Sequence, residues 1–208
     1  MSFGIATGSW EGERDDWDAA IARAVREGWP YIELTAVGNS RLDALAAVDP
    51  TKLASFERIS VHAPSSGLTA EQLLEQVAAL PFEADLILHP DVWRDEPLHA
   101  LGSRAVFENM DVNKQFGRWP GELADVFERF PDAGLCLDVA HVWTNDTSLA
   151  LGHELIDAFG GRLRQLHVSG IQPDGTHRET TPADLELYAP LLERCGHVPW
   201  LLEGALSA

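Results

Sequence analysis

Six side chains of metal-ligating type close six successive apolar runs of the chain. Ile59-Ser60-Val61 ends on His62, Leu86-Ile87-Leu88 on His89, Val106-Phe107 on Glu108, and Leu135-Cys136-Leu137 on Asp138. Leu166 precedes His167 and Leu201-Leu202 precedes Glu203, so the successive gaps are 27, 19, 30, 29 and 36 residues. A strand buried on both faces is expected to be apolar, and each polar residue inside it costs stability unless partnered. A single buried histidine is explained as a hydrogen-bonded core residue. Three histidines and three carboxylates in one place need more than that. Their N and O donors are poorly tolerated together without a cation, and they are the donors that divalent ions take.

The elements that must position these residues are legible as an alternation. Strand-like runs span Gly4–Thr7, Tyr31–Thr35, Ile59–Ala63, Asp85–His89, Ala105–Asn109, Gly134–Asp138, Leu163–Val168 and Val198–Glu203. Amphipathic helical patterns lie between them at Asp15–Glu27, Thr69–Ala79, Gly121–Phe130, Ser148–Phe159 and Pro182–Arg194. Ser40–Leu53 and Asp95–Leu101 are weaker helical connectors. Thr69 with Glu71 and Gln72 reads as a capped helix start, and Pro182 suits a first turn. Strands alternating with helices imply a parallel sheet, and eight of them suggest a compact (β/α)8 TIM barrel. The eighth strand runs out near Ala208, which leaves the last helix missing or very short. An open doubly wound sheet is the alternative. In a barrel all six polar ends converge on one mouth, where active sites of that fold lie.

With 208 residues the chain reads as one domain, 1–208, with no linker, repeat or low-complexity tract. Its 33 acidic and 15 basic residues give a net charge of −18, which repels polyanions and leaves no Lys/Arg run to neutralise phosphates. No nucleic-acid partner is expected. The longest apolar stretches are far too short to span a bilayer. Met1-Ser2-Phe3-Gly4 has no basic segment leading into an apolar run, and Cys136 and Cys195 share no metal or redox spacing, so a reducing, cytoplasmic setting is expected.

The segments Val61-His62-Ala63-Pro64, Leu88-His89-Pro90, Phe107-Glu108-Asn109, Leu137-Asp138-Val139-Ala140-His141, Leu166-His167-Val168-Ser169 and Leu202-Glu203-Gly204 resemble the xylose isomerase-like TIM-barrel superfamily. That group contains metal-dependent sugar isomerases, epimerases and endonuclease IV. The resemblance covers roughly Ser60 to Gly204. It implies that Glu108, Asp138, His167 and Glu203 form a four-ligand metal site, and that His62 and His89 share a second ion with Glu108. His141 matches a third-site or substrate-binding histidine. Asp174-Gly175-Thr176-His177-Arg178 resembles the loop that completes a third site through His177, but Gly175 stands where the endonuclease pattern has an acidic residue. The implied cofactor is a divalent ion (Zn, Mn, Mg or Co), one to three per chain.

Two reactions fit such a mouth. In the first, a sugar or sugar-phosphate isomerase or epimerase, the resemblance assigns the acid–base pair to Glu108 and Glu203, and His141 and Arg178 would hold hydroxyl or phosphate oxygens. In the second, an endonuclease IV-like phosphoesterase or hydrolase, two or three ions activate water and clamp the ester. His62 and His89 favour the second, because a single-metal epimerase does not need them. The charge and the short loops favour the first, with a small-molecule partner, no membrane and homo-oligomerisation left open. A non-catalytic metal or ligand-binding barrel is a third reading, since fold alone does not imply activity. Trp10 and Trp143 follow strand ends and are candidates to stack on a sugar ring. Glu33 ends the second strand and either faces the mouth or is salt-bridged within the barrel. Lys114 is a weaker mouth candidate, and His99, His153 and His197 read as surface residues.

Overall fold

A computed structural model describes residues 3–10, 16–36, 39–172 and 174–204. Eight parallel strands close on themselves: β1 (Phe3–Ala6), β2 (Tyr31–Thr35), β3 (Arg58–His62), β4 (Asp85–Leu88), β5 (Ala105–Glu108), β6 (Gly134–Asp138), β7 (Leu163–Val168) and β10 (Trp200–Leu202). The pairing of β1 with β10, Phe3 opposite Trp200, shuts the barrel. The sheet is therefore the closed form, not the open doubly wound one. Every strand candidate from the sequence has its counterpart within one or two residues.

The helices form where local signals start and stop them. Helix α1 (Trp17–Glu27) begins at Asp16, whose side chain accepts the Ala19 N–H, and ends on left-handed Gly28. Trp17, Ala20, Ile21 and Ala24 bury its inner stripe at helical spacing. Helix α2 (Asn39–Ala44) lies within the weak connector. Helix α3 (Ala70–Ala78) has the capping box of Thr69 and Gln72, as the sequence suggests. Helices α4 (Pro120–Arg129), α6 (Ala150–Phe159) and α7 (Pro182–Leu192) follow the remaining patterns. Asp15, at the head of the first expected helix, and residues 205–208, where a last helix would stand, lie outside the described residues. No helix among the described residues is long and apolar enough to cross a membrane.

Among the described α-helices and β-strands, one helix and one two-stranded hairpin have no counterpart in the expected set. Helix α5 (Val139–Asn145) starts directly on the end of β6, capped by Asp138. A short antiparallel hairpin, β8 (Gly170–Ile171) with β9 (His177–Arg178), leaves the end of β7. Its turn carries Gly175 at φ +86, a backbone that favours glycine. The Asp174-Gly175 pair was the available signal for it.

Side chains two apart on a strand share a face. Ser60 therefore stands below His62, Ile87 below His89, Val106 below Glu108, Cys136 below Asp138, and Gln165 below His167. Ile87, Val106 and Cys136 form a small buried cluster separate from the main core between strands and helices.

Candidate metal centre and active site

Glu108 is the hub. Its side chain is 1 % exposed, and four imidazoles surround it. Oε2 lies 3.3 Å from His62 Nε2 and 3.4 Å from His89 Nε2, and Oε1 lies 3.2 Å from His167 Nδ1 and 3.4 Å from His141 Nδ1. These residues come from β3, the end of β4, β7 and α5. Glu203, just beyond β10, closes the ring with Oε2 at 3.4 Å from His167 Nδ1.

Three groups of ligand-type atoms result, each drawn together within 4.8 Å: His62, His89 and Glu108; Glu108, Asp138, His167 and Glu203; and Asp138, His141 and His177. All eight residues expected at a metal site are thus brought to one mouth. Asp138 belongs to two of the groups. The group that includes His177 draws its one carboxylate from Asp138, and position 175 is glycine. A Cβ built on Gly175 would stand 2.5 Å from Asn113 Nδ2, which itself donates to the Asp174 carbonyl at 2.9 Å. The β8–β9 hairpin is docked on the β5 loop through this contact.

Local hydrogen bonds aim the donors. The Ala63 carbonyl faces His62 Nδ1 at 3.0 Å, and the Asn109 carbonyl faces His141 Nδ1 at 2.9 Å. A carbonyl only accepts, so each Nδ1 donates its proton, and in the neutral ring Nε2 carries the lone pair. Those Nε2 atoms face His89 Nε2 at 3.2 Å and His177 Nε2 at 3.1 Å. Asp138 spends Oδ1 on the His141 N–H at 2.7 Å, the first turn of α5. That cap explains why His141 follows Asp138 by three. Asn109 zips the ends of β5 and β6: its amide donates to the Asp138 carbonyl at 3.0 Å, and its oxygen accepts the Asp138 N–H at 2.8 Å. Nothing in the segment Phe107-Glu108-Asn109 by itself signals this role for Asn109.

The residues fit a divalent ion on grounds internal to the structure. Glu108 Oε2 and Asp138 Oδ2 are buried with no hydrogen-bond partner among the described residues, although both sit among imidazole nitrogens. Orphaned buried oxygens of this kind are rare and call for an explanation. Electrostatics agree. Burial alone would lower His62, yet the Glu108 carboxylate, with Glu33 and Glu203 behind it, pushes it up to about 9. Burial would raise Glu108, but His167, His62 and His89 hold it well below the usual carboxylate range. Glu203 moves the other way, raised by burial and by the carboxylates of Glu108 and Asp138.

The other expected residues are placed as follows. Arg178 makes a two-pronged pair with Asp184, Nη1 to Oδ2 and Nη2 to Oδ1, both 2.7 Å. Trp10 is 2 % exposed and packs in the core, with the Arg23 guanidinium 4.5 Å from its ring centre. Trp143 lies half-buried on α5 against the core. Lys114 pairs with Asp91 at 3.1 Å. Glu33 takes the second of its two expected roles: it lies fully buried within the barrel beneath His167 and pairs with it, Oε2 2.9 Å from Nε2.

Solved structures share this barrel. A D-tagatose 3-epimerase-like protein superposes at a TM-score of 0.67 with 14 % identity, covering 99 % of this chain and 91 % of the other. A D-psicose 3-epimerase follows at 0.63 and 14 %, covering 100 % and 86 %. A xylose isomerase-like TIM barrel protein from Mycobacterium smegmatis, in complex with magnesium, matches at 0.54 and 11 %, covering 99 % and 90 %. The chain has the xylose isomerase-like barrel fold. At these identities the likeness speaks for the fold alone. No family profile and no curated protein matches the chain by sequence.

Proposed function

We propose that the protein is a divalent-metal-dependent enzyme acting on a small sugar or sugar phosphate as an isomerase or epimerase. The observation that carries the reading is the convergence of Glu108, Asp138, His167 and Glu203, with two of their carboxylate oxygens buried and unpartnered. These four residues would hold the catalytic ion, and His62, His89, His141 and His177 would hold any further ones. A bound divalent ion supplies Lewis-acid polarisation of a carbonyl and its neighbouring hydroxyl.

The chain's own residues supply the proton chemistry. Glu203 is the more accessible of the two carboxylates, its side chain 14 % exposed against 1 % for Glu108. That exposure lets it reach a substrate carbon, as a group that takes and returns a proton requires. It would accept the proton from the carbon beside the substrate carbonyl and, in an isomerisation, return it to the neighbouring carbon; in an epimerisation Glu108 would supply a proton to the opposite face while Glu203 keeps the one it took. Glu108, enclosed by four imidazoles, is its partner across the site. The surplus of acidic residues favours a small substrate over duplex DNA.

A second reading, metal-assisted phosphoester hydrolysis, is supported by the two facing histidine pairs, which offer more nitrogen donors than a single ion needs. The deciding comparison sets metal-loaded protein against ketoses, aldoses and their phosphates, and against a duplex with an abasic site. Solvent-proton exchange or epimer formation is expected. Salt-sensitive cleavage of the duplex in its place would move the assignment to the second reading.

A further inference from the structure

Beneath the ligand ring lies a polar layer that the proposed chemistry does not use. Glu33 on β2 is 0 % exposed and faces into the barrel, where β4 and β5 place the apolar Ile87 and Val106. Three donors converge on its Oε2: Ser60 Oγ at 3.1 Å from β3, Gln165 Nε2 at 2.7 Å from β7, and His167 Nε2 at 2.9 Å. A buried carboxylate is costly, and an apolar side chain would make a simpler floor. Glu33 Oε1 has no partner among the described residues, so hydrogen bonding alone does not explain the carboxylate.

The explanation lies in His167, whose two nitrogens face different ways. Nδ1 looks up into the ligand ring, 3.2 Å from Glu108 Oε1 and 3.4 Å from Glu203 Oε2. Nε2 looks down at Glu33. Both nitrogens face carboxylates, which only accept hydrogen bonds; an ion entering the ring above would displace the proton on Nδ1, while Glu33 on the closed floor retains the one on Nε2 and leaves Nδ1 to ligate. Ser60 and Gln165, anchored on two other strands, fix the carboxylate that does this.

We propose that Glu33 is a positioning residue that, from the barrel floor, fixes the ring plane and proton placement of His167 so that Nδ1 is presented to the metal. The inference rests on the metal-site reading above. Carboxylates behind a metal-bound imidazole typically contribute about 10–100-fold in affinity.

The test uses the full chain, metal-free and titrated with Zn²⁺. In metal-free wild type, NMR of 15N-histidine protein should show a His167 Nε2–H proton shifted downfield and protected from exchange. That signal should vanish in Glu33→Leu and return, less shifted, in the isosteric Glu33→Gln. Zn²⁺ affinity should fall about 10–100-fold in Glu33→Leu and recover in part in Glu33→Gln. The metal-free melting temperature should fall in Glu33→Leu, which leaves Ser60, Gln165 and His167 buried without their acceptor, and should recover in part in Glu33→Gln. An unchanged Nε2–H signal with unchanged affinity would overturn the proposal. If Glu33→Leu does not fold, Glu33→Gln answers the same two questions, and an unaltered signal and affinity there count against it. Wild type that binds no Zn²⁺ would refute the metal reading, while the Nε2–H signal would still decide the role of Glu33.

Discussion

The Nε2 atoms of His141 and His177 face each other at 3.1 Å, although one residue sits on α5 and the other on the β8–β9 hairpin. The backbone carbonyl of Asn109 takes the Nδ1 proton of His141, and Ser169 Oγ lies 3.0 Å from Nδ1 of His177. Asp138 Oδ2 stands 3.7 Å from the His141 nitrogen. Across the mouth, His62 and His89 repeat the arrangement around Glu108.

This pairing predicts that the mouth holds more than one ion. Saturating Zn²⁺ followed by gel filtration and elemental analysis should give two or three ions per wild-type chain. His177→Ala should lose one of them and leave the group of Glu108, Asp138, His167 and Glu203 loaded. A count that stays the same in His177→Ala would show that the histidine pair binds no ion.

Glu203→Gln should abolish proton movement. With a sugar substrate in deuterated water, incorporation beside the carbonyl should fall by about 10²–10⁴-fold, the usual contribution of a general acid–base group. Zn²⁺ content is measured on the same sample, which separates lost chemistry from lost metal. Equal incorporation in wild type and in a fully loaded Glu203→Gln would remove Glu203 from the mechanism.

Arg178 and Asp184 give a pH-dependent prediction. The Arg178 hydrogen bonds, with those of Thr181, pull the Asp184 carboxyl down from 3.8 to about 2. A folded-state value below the unfolded one means that stability is full above about pH 4 and is lost as pH falls through about 2. Asp184 also closes the capping box of α7 with Thr181. Asp184→Asn should therefore cost roughly 1–2 kcal/mol at neutral pH and flatten the acid limb between about pH 4 and 2. Urea unfolding at a series of pH values checks it, and parallel curves for the two proteins would contradict it. Arg178→Met should destabilise the hairpin–α7 junction in the same window. An additional loss of affinity for a sugar phosphate over the free sugar would mark Arg178 as a substrate contact as well.

Much of the site was legible because parallel strands are buried on both faces. Against that apolar background His62, Glu108, Asp138 and His167 stand out as strand ends, and His89 and Glu203 as the residues just beyond them. The capping signals at Thr69 and Pro182 were equally local, since a cap is satisfied within one helical turn. Tertiary structure alone decided the rest, because it depends on which strands become neighbours and at what register. Closure through Phe3 and Trp200 cannot be read from either strand by itself. Glu33 and Gln165 are 132 residues apart, and only the closed barrel brings both beneath His167. Asp138 serves two ligand groups because α5 turns His141 back over it, while the hairpin delivers His177 from the far side. Arg178 looks from sequence like a free cation beside the mouth. Its partner emerges only when α7 brings Asp184 within 2.7 Å, since a side chain's hydrogen-bond partner is set by the packing of elements and not by its own segment.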